Sequence, residues 1–378
     1  MSINKKLIYK TLLTISGVII LAAGGLMAYL AIPSGFQSRQ AEGPKVLTEL
    51  LNMAEKSQPF NPDPYISSTY RPGDPLYEPL LYIQRHRQGK AEELLKPLVE
   101  QGNPDAMYWL AQITYDDSYY SSGPAAKLFQ KSAELGNPYA ALRLDINDRE
   151  CQMFMGGYCD KKWGELGRKL LQERAEQGDK KAAYYLLQYD ENSSEEVHKK
   201  LEKLVTENAK NHYYQPLMRL MKSYKDRMYL TFFNRRETIS SEENKYISEL
   251  AFLPVNNNFP PAMTNIVFFN RNFYKKPYLL KVIKQSIMIN TEPFLCIRYY
   301  TEVDNIDRNH IIDSAACAIA SDQLENRDDN LRRFNYILKE NNLNPLTKLE
   351  FNNSHNKAQE IINNMTPVIY IDEMNPKP

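Results

Sequence analysis

The chain carries almost no net charge. Its 378 residues include 47 basic and 46 acidic side chains, a formal net charge of +1. A nucleic-acid binder needs excess cations to displace counterions from phosphates, so that class is excluded. No block of like charges marks a solvated acidic or basic tail. Glycine is scarce, at 15 residues, which suits helices better than turn-rich β structure. Catalytic signatures are also missing: the chain has no GxSxG, HExxH, Walker A or GxGxxG pattern. The histidines are His86, His198, His212, His310 and His355; none sits at ligand spacing, and there is no CxxC, so no metal site is expected. His310, Asp313 and Ser314 have the composition of a nucleophile triplet, but residues four apart on a helix project side by side and cannot form the relay. The glutamate pairs at 92–93, 195–196 and 242–243 read as solvated helix starts favoured by the helix dipole. The sequence therefore asks for no cofactor and points away from an enzyme.

A 43% apolar fraction is enough for a core, so wholesale disorder is not expected. One long run without charge spans Leu12 to Ile32. About 21 helical residues at ~1.5 Å each match the ~30 Å hydrocarbon core of a bilayer, so 12–32 is expected to be a transmembrane anchor. Lys5, Lys6 and Lys10 precede it and Arg39 is the first charge after it. The positive-inside rule then places residues 1–11 in the cytoplasm and everything after Pro33 outside. The rival is a cleaved signal peptide, whose apolar region is usually shorter and followed by a small-x-small site. Gly24 and Ala28 form a small-xxx-small pair that could pack a second helix. No cysteine follows the stretch, which excludes a lipoprotein anchor. The four cysteines are Cys151, Cys159, Cys296 and Cys317. An even count in an exported domain reads as disulfides, with sequence-local pairing 151–159 and 296–317.

One pattern organises the middle of the chain: VEQGNPDAMYWL at 99–110, AELGNPYAALRL at 133–144 and AEQGDKKAAYYL at 175–186. Aligned on Gly102, Gly136 and Gly178, the fourth residue onward is Ala106, Ala140 or Ala182, and the eighth is Leu110, Leu144 or Leu186. Glycine at that point supplies a left-handed turn that ends one helix, and Asn or Asp caps the next, with Pro tolerated in its first turn. Ala and Leu four apart share a face, and the small Ala admits a close neighbour. Two weaker copies, 209–220 and 255–266, put His212 and Asn258 at the turn; Asn tolerates the left-handed region best after Gly. The turn position recurs after 34, 42, 34 and 46 residues, the period of helix–turn–helix solenoids with insertions.

The block A-E-x-G-N-x-x-A-x-x-x-L resembles the SEL-one-like repeat, a relative of the tetratricopeptide repeat, across about 90–190 and less closely to 270. The resemblance implies an all-α fold, an α/α solenoid of helix pairs preceded by the transmembrane helix. The expected layout is a Pro- and Tyr-rich linker at 33–78, the solenoid at 79–270, a C-terminal helical region with a disulfide at 271–345, and a tail at 346–378. Helical spacing is expected over 278–290, 294–303, 310–325 and 328–341, and PVIYID near the end reads as a short extended piece. Such a solenoid offers an extended binding surface. Tyr108 and Trp109 are adjacent, as are Tyr184 and Tyr185. Neighbouring helical positions point about 100° apart, so some of these four rings are expected to line an open groove as partner-binding residues.

The resemblance further implies a protein partner. The first expectation is an immunity protein in the bacterial inner membrane, its C-terminal domain in the periplasm, neutralising a secreted antibacterial effector such as a phospholipase. The alternatives are a periplasmic regulator or adaptor of an envelope sensor or assembly and, from another class, a hydrolase on an unrecognised helical fold. The topology has a direct check. A reporter active only in the periplasm and fused after Pro378 should be active; activity of a cytoplasm-only reporter at that position would overturn the exported arrangement.

Overall fold

In a computed structural model of the chain, the described residues are 47–57, 60–115, 122–188, 195–229, 241–268, 273–290, 296 and 307–378. Among them the regular structure is helical, apart from one isolated antiparallel bridge between Asp372 and Asn375. The helices are α1 Leu47–Lys56, α2 Tyr77–Gln84, α3 Gln88–Glu100, α4 Pro104–Tyr115, α5 Ser122–Glu134, α6 Pro138–Leu142, α7 Arg149–Phe154, α8 Lys161–Glu176 and α9 Lys180–Gln188. There follow α10 Glu195–Lys210, α11 Gln215–Tyr229, α12 Ser241–Asn256, α13 Pro260–Phe268, α14 Lys276–Ile289, α15 Arg308–Glu325, α16 Asp329–Glu340 and α17 Lys348–Asn364. The proposed transmembrane stretch 12–32 lies outside the described residues, as does most of the helical pattern at 294–303. No described helix is long and apolar enough to cross a membrane.

Among the described residues, five helix pairs form the solenoid: α3/α4, α5/α6, α8/α9, α10/α11 and α12/α13. Each is joined by the same turn. The turn residue has positive φ in every pair: Gly102 at 84°, Gly136 at 95°, Gly178 at 99°, His212 at 58° and Asn258 at 59°. Its N–H bonds the carbonyl three residues back, and the next N–H bonds the carbonyl five residues back, as in Asn103 to Leu98 and Phe259 to Pro254. These paired bonds consume the carbonyls that a helix end leaves orphaned. Asn103, Asn137 and Asp179 then accept from backbone amides of the following helix, so both ends of the connection are satisfied. The copies with His212 and Asn258 keep this geometry without glycine, at the small cost that a left-handed non-Gly residue carries.

The alanines four residues after the turn are sealed. Ala106, Ala140, Ala182 and Ala262 have no exposed surface, and Leu144, Leu220 and Ile266 are buried beside them. Consecutive pairs are also tied by side chains. Ser132 Oγ donates to the Pro104 carbonyl at 2.7 Å and Asn208 Nδ2 to the Lys180 carbonyl at 2.9 Å, each from the fourth residue before one turn to the second residue after the preceding one. A close approach between pairs is permitted by glycine on α8. A Cβ on Gly164 would fall 2.0 Å from an Asp145 carboxylate oxygen, and one on Gly167 2.9 Å from Leu142. The insertion between α6 and α8 holds α7 and the first disulfide, Cys151–Cys159, with Cα atoms 5.9 Å apart. The second, Cys296–Cys317, joins the chain ahead of α15 to the middle of that helix, Cα to Cα 5.4 Å. Both pairings are the sequence-local ones.

Two segments outside the repeats become part of the solenoid. Within the stretch read as a linker, α1 packs on α12 and α10, and Leu50 is fully buried there. The chain after it is fastened to the last turn: Asn258 Nδ2 donates to the carbonyls of Asn61 and Asp63, and Ser67 Oγ donates to the Asn258 carbonyl. At the other end, α15 packs against α16 and α17, with small apolar clusters of its own around Phe334 and Ala358. Beyond α17 the chain turns back, and Val368, Ile369 and Ile371 join the main core of the solenoid.

If the alanines are contact points between helices, Ala140→Leu and Ala182→Leu must force neighbours apart. Each should cost about 1–3 kcal/mol by overpacking, seen as a lower thermal midpoint. Unchanged midpoints for both would mean that the repeat register is wrong.

Candidate functional site: a groove that holds the C-terminal tail

The second helices of the pairs present one face in common. Counting from each turn residue, the third and seventh positions give Tyr139 on α6 and Arg143 at its end, Lys181 and Tyr185 on α9, and Gln215 and Arg219 on α11. Spacing of four keeps each couple on one side of its helix. On α4 the equivalent side is Asp105 and, at the sixth position, Tyr108. Along this face runs the tail, from Thr366 to Lys377, in the direction opposite to the repeats.

The groove recognises the tail backbone first. Thr366 and Val368 donate their N–H groups to the Met288 and Ile289 carbonyls at the end of α14. The Tyr77 hydroxyl donates to the Pro367 carbonyl. Gln84 uses its whole amide: Nε2 donates to the Val368 carbonyl at 3.1 Å, and Oε1 accepts from the N–H groups of Tyr370 and Ile371. Ser68 Oγ accepts the Ile369 N–H, while Thr69 donates its backbone N–H and its hydroxyl to the Ile369 carbonyl. Gln215 Nε2 reaches the Tyr370 carbonyl at 3.0 Å, and the Tyr108 hydroxyl donates to the Glu373 carbonyl. Residues 366–371 are extended and have no internal partners for these groups, so burying them requires bonds from outside; from Asp372 to Asn375 the tail makes a tight turn, the Asp372 carboxylate accepting the N–H groups of Met374 and Asn375.

Side chains then fix the register. Asp372 is fully buried and Glu373 keeps 9% of its side chain exposed. Lys181 Nζ lies 2.7 Å from Glu373 Oε2 and 3.7 Å from Asp372 Oδ1. The Tyr213 hydroxyl donates to Asp372 at 2.8 Å and the Tyr70 hydroxyl to Glu373 at 2.8 Å. Lys181 also sits over the rings of Tyr139 and Tyr213, at 5.0 and 5.5 Å from their centroids. Asn375 receives Arg219 on its oxygen and offers its nitrogen to the Tyr185 hydroxyl. Beside residues 373–377 the groove opens into a cavity of about 660 Å³, lined on its other sides by Tyr139, Arg143 and Arg168 among others. There Arg143 pairs with Glu150, and Arg168 with Asp145.

These contacts set the protonation states. Burial pushes the Glu373 carboxyl up, but Lys181, through charge and hydrogen bond, brings it below its ordinary value. Burial likewise works against the Lys181 cation, yet Asp372 and Glu373 hold its pKa well above the usual lysine range. Asp105 is pushed up by burial and by the neighbouring Glu373. It opposes the clamp slightly, with Asn137 donating to it at 2.7 Å as compensation.

The four rings expected to line an open groove are all buried: Tyr108, Trp109 and Tyr185 at 0% and Tyr184 at 2% exposure. The expectation of exposed rings is corrected here. The second helix of each pair is covered on more than one side, by its neighbours and, at Tyr108 and Tyr185, by the tail. Adjacent positions can therefore both be enclosed, and each pair packs edge to face, at 5.4 Å for Tyr108–Trp109 and 5.3 Å for Tyr184–Tyr185. Burial pushes the Tyr184 phenol up to about 12. Lys181, Tyr213, Gln84, Asp372 and Glu373 were not singled out from the sequence. The one available signal was the acidic pair after four residues of VIYI. Among the described residues, no group of His, Cys, Asp and Glu could hold a metal ion.

No family model and no curated protein matches the chain. Among solved structures it is similar to the crystal structure of a protective antigen present in uropathogenic Escherichia coli strains, displaying an SLR fold. The identity is 16% and the TM-score 0.36, over 77% of this chain and 61% of that one. The chain thus spans less than two thirds of that protein's length. The geometry itself defines an all-α solenoid whose groove binds an extended peptide in cis.

The Glu373–Lys181 pair makes tail closure pH-dependent with a definite sign. The Glu373 pKa is lowered on folding, so its contribution is present above the unfolded value, about 4.3, and fades as pH falls through the lower folded value. At pH 7, Glu373→Gln should cost about 3 kcal/mol, because it leaves a largely buried Lys181 less compensated. That difference in thermal midpoint should be smaller at pH 3 than at pH 7. A penalty that is constant from pH 7 to pH 3 would contradict the ion pair.

Proposed function

We propose that this chain is a protein-interaction module and not an enzyme. The observation that supports it most is the bound tail. Side chains of residues 68–84 and of successive helix pairs already satisfy the backbone and carboxylates of a bound peptide segment, which is the task of a peptide-binding solenoid. The finer reading is that of an immunity protein: a module tethered to the bacterial inner membrane by residues 12–32, facing the periplasm, that binds and neutralises a secreted antibacterial effector. The long uncharged stretch favours tethering, and two disulfides favour an oxidising compartment. A stoichiometric inhibitor needs a rigid ectodomain and no catalytic group. A groove closed by the chain's own tail favours, as a second reading, a regulator whose interaction is released by a signal.

Contact competition between sister cells separates the two. Cells lacking the chain should be outcompeted by their parent on a surface, and the full-length chain should restore survival. Equal survival without the chain would remove the immunity reading and leave the regulator.

A further inference from the structure

We propose that the tail is a stand-in for a segment of another protein. The groove takes in trans a segment in which extended aliphatic residues are followed directly by two carboxylates at the start of a turn, in the manner of Val368–Ile369–Tyr370–Ile371–Asp372–Glu373. This rests on the interaction-module reading above and names the partner's chemistry.

Four features of the groove carry it. Most of its hydrogen bonds go to tail backbone, through Gln84, Thr69, Tyr77 and Gln215. Such bonds hold any extended chain and leave selection to a few side chains. Selection comes from Lys181, buried against the tail carboxylates with the Tyr70 and Tyr213 hydroxyls beside it. A merely sealing segment would be at least as stable with apolar residues there, since desolvating an ion pair offsets much of its attraction. A charged pair instead fixes register and partner. Neither disulfide involves the tail, so its hold is noncovalent and reversible. Finally, the tail does not fill the groove: a cavity lies between residues 373–377 and Tyr139, Arg143 and Arg168. Its volume of about 660 Å³ falls within the ~300–1,000 Å³ of ordinary ligand sites.

A tethered tail competes at an effective concentration on the order of millimolar, so a free segment meets a groove that is mostly closed. Weakening the tail must therefore strengthen binding in trans, which a structural seal would not do. The probe is a fluorescent peptide of unrelated sequence with the same pattern, two to four aliphatic residues followed by Asp-Glu. It is titrated by anisotropy against the full-length chain in detergent. Binding to the tail-weakened chain Asp372→Asn/Glu373→Gln should be at least tenfold tighter than to the unaltered chain. A peptide with Asn-Gln in place of Asp-Glu should lose at least tenfold, and adding Lys181→Ala to the weakened chain should abolish the preference. A second form of the chain, cleaved by an engineered protease site after Asn364, guards against a folding defect; circular dichroism must show both forms helical at the assay temperature. If the probe binds neither folded form, or binds equally with and without its carboxylates, the proposal is wrong. A concentration-dependent dimer of the unaltered chain that disappears on cleavage would also overturn it, because the occupant would then be a second copy. Sister-cell protection that persists while the probe fails would keep the interaction module and move its surface elsewhere.

Discussion

The arrangement depends on the contact between Lys181 and the Asp372–Glu373 pair. One cation, about a fifth exposed, meets two carboxylates that are almost entirely out of water. Taken out of water alone, each charge would be costly. Together, with the Tyr70 and Tyr213 hydroxyls, they make a closed set. That set fixes where the tail stops sliding. With register set, Val368, Ile369 and Ile371 fall into the core, and Gln84, Thr69 and Gln215 meet the right backbone groups. The same contact ties the two ends of the described chain, since residues 67–84 hold the tail from one side and α9 and α11 from the other.

The solenoid beneath was readable because its signal is local. A left-handed residue between two helices leaves few choices, and Gly102, Gly136 and Gly178 announce it; His212 and Asn258 adopt the same φ. The alanine four residues on is buried for a reason visible in the sequence, since only a small side chain fits where helices meet. The disulfide pairing was also local, within 8 and 21 residues.

The groove was not readable in the same way, because its contacts are distant in sequence. Lys181 and Glu373 are separated by 192 positions, and Tyr77 and Pro367 by 290. Neither partner is unusual in its own neighbourhood. A lysine in the first turn of a helix reads as solvated, and VIYIDEMN reads as a short strand and a polar end. The aromatic pairs misled for a related reason. The 100° between neighbours argues for one exposed ring only if the helix has one buried side. The tail adds another, and Tyr108 and Tyr185 face it.

The central claim is that the tail lies in the groove in the intact chain. Amide hydrogen exchange over residues 366–375 of the full-length protein tests it most directly. Tail amides that are bonded to Gln84, Ser68, Met288 and Ile289 should exchange orders of magnitude more slowly than in a free peptide, approaching the solenoid helices. Exchange at the free-peptide rate across 366–375, with α9 and α11 still protected, would contradict the account.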